Sequence, residues 1–154
     1  MIYSTKSNNY SYFKSKTINI LMQDGKKTKG EKIILKSFKN LQKSLNSKTL
    51  TVFHTAVVNS TSSFKINEQA VKKGKRKATK TIPSFILNDS LRITNALKQI
   101  KKVSMKRHSS KYFHKSLLLE LISTADTKSQ VIEQKNEIHR QILINKRYLA
   151  KFRW

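Results

Sequence analysis

The stretch from Phe64 to Leu87 constrains the fold more than any other part of the chain. Phe64, Ile66 and Ala70 alternate with polar residues, and Thr79, Thr81, Ile82, Phe85 and Ile86 are β-branched or aromatic, so both ends read as strands. Between them stand Lys72-Lys73-Gly74-Lys75-Arg76-Lys77 and then Lys80, with no carboxylate from Gln69 to Asn88. Gly74, one of three glycines in the chain, marks the turn. Pro83 would interrupt a central strand, but a two-stranded ribbon can carry it with the missing N–H facing outward. Such a ribbon is marginal in water, and this tip holds six like charges over nine residues. Its counter-charge must come from elsewhere, and a polyanion is the obvious source. The competing reading is a disordered basic loop.

The rest of the chain repeats the imbalance. Lys and Arg number 33 against 8 Asp and Glu, a formal charge of +25, which strains a compact monomer and implies an anionic partner. The 37% of residues that are apolar fall in periodic clusters, so the 154 residues read as one domain with a core. Cysteine is absent, which excludes disulfides, thiol catalysis and Cys-based zinc sites. No apolar run approaches the roughly 18 residues that span a bilayer. Residues 1–16, rich in Ser, Tyr and Lys, read as a basic N-terminal arm that need not be ordered. They make a poor secretory signal and an ambiguous transit peptide. Abundant Lys, Asn and Ile with scarce Gly and Pro fit AT-rich codons, as in an organellar genome.

Periodicity predicts six helices around the ribbon. Phe13, Ile18, Leu21 and Met22 form a short first helix that stops at Asp24-Gly25. The second, about Thr28 to Leu45, aligns Ile34, Phe38, Leu41 and Leu45 on one face. Lys29, Lys32, Lys36, Lys39 and Lys43 share roughly the opposite face without interleaved glutamates. They repel along it rather than pair, which favours a phosphate-facing role over a merely solvated face. A third helix runs from Ser47 or Lys48 to about Asn59 with Leu50, Phe53, Val57 and Val58 apolar. After the ribbon, Asn88, Asp89 and Ser90 offer N-cap chemistry for a helix to about Met105. Its inner face is Ile93, Ala96, Leu97, Ile100 and Val103, ringed by Arg92, Lys98, Lys101, Lys102 and Lys106. Ser109 or Ser110 would cap a fifth helix to about Ala125, packing through Phe113, Leu117, Leu118, Leu121 and Ile122. A sixth, from about Ser129, shows Val131, Ile138, Ile142 and Leu149 on a narrow face.

Nothing here is arranged for catalysis. His54, His108, His114 and His139 have no metal-ligand spacing and no associated carboxylate, and read as satisfied surface or core histidines. Glu133 and Glu137 sit near Lys135 and Arg140 as ordinary helix-surface pairs. Three glycines at 25, 30 and 74 make no phosphate loop. The chain is not expected to be an enzyme or to hold a cofactor or metal.

Asn19-Ile20-Leu21-Met22-Gln23-Asp24-Gly25-Lys26-Lys27-Thr28 resembles the "NILM-x-DGKK" signature of the small-subunit ribosomal protein seven family. The end of the chain, Asn145-Lys146-Arg147-Tyr148-Leu149-Ala150-Lys151-Phe152-Arg153-Trp154, is similar to that family's "NKAFAHYRW". The order of elements also matches: three helices, a basic hairpin whose return strand carries Ile82-Pro83, and three more helices. The resemblance, over about Thr17 to Trp154, implies a mainly α domain at 17–154 with a projecting β-ribbon at about 64–87. It also implies binding to the 3′ major domain of small-subunit rRNA, organisation of the subunit head, and a ribbon near exit-site tRNA and mRNA. Gly25, Lys26 and Lys27 would then lie on rRNA, and Lys72, Lys73, Gly74, Lys75, Arg76 and Lys77 would form the ribbon tip. The tip departs from the family's Arg-Arg-Val-Gly-Gly. Lysines keep phosphate attraction but lack the planar fork of arginine.

The sequence reading is therefore a structural rRNA-binding protein of a small ribosomal subunit, in a mitochondrial ribosome, or alternatively a plastid or bacterial one. Further candidate contacts are Lys29, Lys32, Lys36, Arg92, Lys106, Arg107, Lys111, Arg147, Lys151 and Arg153. Phe152 and Trp154 would stack on bases or pack in the core. Expected partners are the rRNA, neighbouring head proteins, exit-site tRNA and mRNA, but no membrane and no second copy of the chain. Two competitors are a DNA-compacting protein, which would carry an apolar wedge at the tip, and a peripheral membrane protein with an exposed apolar helix face.

Overall fold

The computed structural model describes residues 4–45, 49–73, 76–107 and 112–146. Over these the chain forms six α-helices and one antiparallel ribbon. In order they are α1 (Ser4–Leu21), α2 (Lys27–Leu45), α3 (Thr49–Ser60), β1 (Phe64–Lys73), β2 (Arg76–Phe85), α4 (Asp89–Lys106), α5 (Phe113–Ala125) and α6 (Gln130–Ile144). The expected class, mainly helical with a ribbon between the third and fourth helices, is the observed one.

The corner between α1 and α2 follows from its sequence. Asp24 and Gly25 both take positive φ, 52° and 71°, a conformation that Asp tolerates and Gly adopts freely. The Met22 amide donates to the Ile18 carbonyl, and the Lys26 amide to Gln23, closing the corner. Gly30 then lets α2 lie close on α1, because a Cβ there would stand 3.3 Å from the Ile18 carbonyl oxygen. Helix α1 reaches back to Ser4, through most of the stretch read as an arm and well before Phe13. Residues before Phe13 carry no apolar stripe, so periodicity had nothing to register there.

Helix α5 lies at the centre, packed against α2, α3, α4 and α6. The core joins Ile34 of α2, Phe53, Ala56 and Val57 of α3, Leu97, Ile100 and Val103 of α4, Leu117 and Leu121 of α5, and Val131 of α6. Burying each large aliphatic side chain contributes roughly 1.5–3 kcal/mol. The Phe38 and Phe53 rings meet edge to face with centroids 5.3 Å apart. Leu50 and Val58, read as apolar members of α3, are exposed. Leu149 lies outside the described residues.

The cap expected at the start of α4 is present, and α6 has one at Ser129. Asn88 Oδ1 accepts from the Ser90 amide at 2.9 Å, and Ser129 Oγ accepts from the Val131 amide at 2.9 Å. Helix α5 instead starts at Phe113, with Tyr112 in the cap position and no side-chain cap bond. Ser109 and Ser110, expected there, lie outside the described residues. The ribbon runs in register from Phe64 opposite Phe85 to Lys73 opposite Arg76, with Pro83 opposite Ile66. Its root is anchored by the Phe64 and Phe85 rings, edge to face at 5.4 Å, and by an Asn145 side-chain amide donating to Thr81 Oγ1 at 3.3 Å.

Candidate nucleic-acid interface

The α1–α2 corner and the outer face of α2 form one continuous basic surface. Gly25, Lys26 and Lys27 are exposed at the corner, and Lys29, Lys32, Lys36, Lys39 and Lys43 are exposed along α2. The opposite face carries buried Ile34 and Leu41, so the helix is fixed in rotation with its lysines outward. Ion pairs among the described residues join Arg92 to Asp89, Arg107 to Glu120 and Arg140 to Glu137. None involves a lysine of α2, and Glu31 is the single carboxylate of that helix.

Other cations face inward. Arg92 Nε donates to the Ile86 carbonyl at 2.7 Å, its Nη1 stands 3.1 Å from Asp89, and its guanidinium lies 5.0 Å from the Phe85 ring centroid. It fastens the ribbon root to α4. Lys101, read as part of the outer ring of α4, donates to the Ile20 carbonyl at 2.7 Å and satisfies the C-terminal end of α1. Lys135, read as a partner of the α6 glutamates, instead donates to the Asn59 carbonyl at 2.7 Å near the end of α3, and burial pushes its pKa down. Lys106 remains exposed at the last turn of α4. The Asn59 side-chain amide in turn donates to the Ala125 carbonyl at 3.0 Å. Midway along α1, a hydrogen bond from Lys16 is the largest cause holding the Tyr12 hydroxyl below its usual pKa, followed by one with Ser90.

Arg107 is half-buried and faces Glu120, whose side chain is 1% exposed, at 3.6 Å. The Ser129 hydroxyl donates to the same carboxylate while accepting from the Val131 amide. One buried carboxylate thus ties the end of α4 and the start of α6 to α5. The sequence carried a faint signal of this clasp, a single acid inside the apolar run Leu117–Ile122. His139 departs from the satisfied-histidine reading: its Nε2 is buried without a hydrogen-bond partner, and its ring meets Phe64 edge-on at 6.4 Å. His54 packs on Phe13, rings 5.7 Å apart, and His108 lies outside the described residues.

The ribbon register sets Lys72 opposite Lys77 and Lys73 opposite Arg76, which gathers four basic residues at the far end. Like charges directly opposite destabilise a pair of strands. Gly74, Lys75, Lys111, Arg147, Lys151, Phe152, Arg153 and Trp154 lie outside the described residues. Among the described residues no cluster of three His, Cys, Asp or Glu could hold a metal, and no helix is long and apolar enough to cross a membrane.

Sequence comparison points the same way as this geometry. The family model described as "Ribosomal protein S7p/S5e" matches residues 2–146. "Small ribosomal subunit protein uS7" of Wigglesworthia glossinidia brevipalpis is 33% identical over 141 residues, covering 91% of this chain and 85% of that protein. "Small ribosomal subunit protein uS7m" of Reclinomonas americana is 29% identical, over 90% of this chain and 83% of its own. "Small ribosomal subunit protein uS7c" of Euglena longa is 30% identical, over 89% and 76%.

Proposed function

The chain belongs to the ribosomal protein S7p/S5e family, and from that premise we propose that it binds the 3′ major domain of small-subunit rRNA and organises the subunit head. Its role is structural, in the small ribosomal subunit, and it is not an enzyme. The observation that carries the finer reading is the basic surface from Gly25 to Lys43, exposed, fixed by the packed face behind it, and free of ion pairs among the described residues.

The mechanism is electrostatic and geometric. Folding RNA brings phosphates together at a cost, and a rigid scaffold of lysines offsets that repulsion while releasing condensed counterions. Residues 17–154 act as one rRNA-binding domain in this reading, with residues 1–16 as an arm. Lys26, Lys27, Lys29, Lys32 and Lys36 contact phosphates, and Lys106, Lys111, Arg147, Lys151 and Arg153 add contacts from loops and the C-terminal segment. Arg92 and Arg107 reach RNA only with the part of each guanidinium not used inside the protein. The ribbon tip lies near exit-site tRNA and mRNA, as a diffuse attractor of phosphate rather than a bidentate reader. Composition supports a mitochondrial ribosome, and similar proteins include bacterial, mitochondrial and plastid forms.

Crosslinking of the protein to RNA in cells, followed by sequencing, tests this reading. Crosslinks concentrated in the 3′ major domain are expected. Crosslinks spread over many RNAs, with stronger recovery of DNA, would return the DNA-compacting reading.

A further inference from the structure

A concave surface lies where α4, α6 and the root of the ribbon meet, around a groove of about 340 Å³. That volume is within the range of small-ligand sites, roughly 300–1,000 Å³. Three kinds of side chain line it. Phe64, Ile66 and Ile138 are half-buried and apolar, and Phe64 is held by edge-on contacts to Phe85 and His139 at 5.4 and 6.4 Å. Asn95, Gln99 and Gln134 contribute side-chain amides, each both donor and acceptor. Lys65, Lys98 and Lys135 contribute the charge, and among the described residues no carboxylate lines the groove.

We propose that this groove binds one unpaired nucleotide of the RNA partner, its base against Phe64 and the apolar floor and its phosphate among the three lysines. The proposal rests on the rRNA-binding reading above and deepens it. Unpaired bases are recognised by stacking on aromatic rings and by hydrogen bonds to their exposed edges, and the amides supply both senses of such bonds. An acidic peptide would use the lysines but leave the fixed ring and the three amides without a purpose. Lys135 already donates to the Asn59 carbonyl, and its lowered pKa reflects a partly desolvated ammonium that an incoming phosphate would stabilise.

The test uses the full chain and a transcript of the 3′ major domain at about 0.15 M salt. Gln99→Glu with Gln134→Glu adds two carboxylates to the groove without changing its shape. Gln130→Glu with Asn136→Asp adds the same charge at exposed positions of α6 outside it. The groove pair is expected to weaken binding by at least about tenfold relative to the control pair, since each carboxylate offsets roughly one phosphate contact. In spectra of the unsubstituted chain, octauridylate should shift the side-chain amide signals of Asn95, Gln99 and Gln134. Equal effects of the two pairs, or amide signals that stay still, would overturn the proposal. So would tighter uptake of octaglutamate than of octauridylate at those signals, which would assign the groove to a protein partner. Replacing Lys29, Lys32 and Lys36 by Ala in the same binding assay separates the readings: a loss there with equal groove and control pairs removes the groove alone.

Discussion

Replacing Lys29, Lys32 and Lys36 together by Ala should change how RNA binding responds to salt more than it changes the protein. These three lysines lie along one face of α2, exposed and outside every ion pair among the described residues. Their Cα atoms span seven residues, about 10 Å along the axis at 1.5 Å per residue, so they can engage successive phosphates. If each neutralises one phosphate, the slope of log K against log salt becomes shallower by about 0.7–0.9 per contact, or roughly 2–3 in all. Over a fourfold rise in salt the variant should then lose about 20- to 40-fold less affinity than the parent. Stability should hold or rise slightly, because three like charges leave a face that packs against nothing. Binding of the full chain to a transcript of the 3′ major domain at three salt concentrations, with thermal melts in parallel, supplies both readouts. Parallel salt plots for parent and variant, with intact melts, would show that this face is merely solvated and refute the reasoning.

Four other perturbations separate the roles of named residues. Glu120→Ala removes the acceptor shared by Arg107 and Ser129 and leaves a cavity, so urea unfolding should show a loss of about 2–4 kcal/mol, whereas an effect under about 0.5 kcal/mol would mean the clasp is incidental. At the corner, Gly25→Ala meets no atom within 4 Å but must hold a φ of +71°, for a backbone cost of about 1 kcal/mol by chemical denaturation. Gly30→Leu forces α1 and α2 apart and should cost more, about 1–3 kcal/mol; equal losses at the two glycines would contradict the close crossing at Gly30. Neutralising Lys72, Lys73, Lys75, Arg76 and Lys77 should leave subunit assembly intact and lower exit-site tRNA occupancy on purified ribosomes. A block in assembly would instead make the ribbon part of the rRNA scaffold.

What the sequence disclosed and what it hid divide along sequence distance. The two faces of α2, the Asp24-Gly25 corner, the Asn88 cap and the paired strands depend on neighbours a few residues away, and local pattern reveals them. The inward turns of Lys101 and Lys135 depend on carbonyls 81 and 76 residues away, and no local pattern separates them from outward lysines such as Lys98 and Lys102. Gly30 looked like an unremarkable helix interior until α1 lay across it. Glu120 was visible as an acid among leucines, yet its partners come from the ends of two other helices. The candidate surface was legible as a lysine stripe, while the groove at the ribbon root, assembled from β1, α4 and α6, was not.

The ion pairs divide labour between the two basic residue types. The chain has six arginines, and the described side chains of three of them, Arg92, Arg107 and Arg140, each meet a carboxylate. The lysines of α2, among them Lys29, Lys32, Lys36, Lys39 and Lys43, hold an outward surface, where a compact charge on a pliable stem suffices for phosphate. A chain under pressure toward AT-rich codons can therefore exchange arginine for lysine freely wherever the target is a diffuse polyanion. At Arg92, where one planar group serves a carbonyl, a carboxylate and a ring at once, the same exchange would unfasten the ribbon from α4. Nucleotide composition is thus free to drift across the outside of this molecule and is checked at its joints.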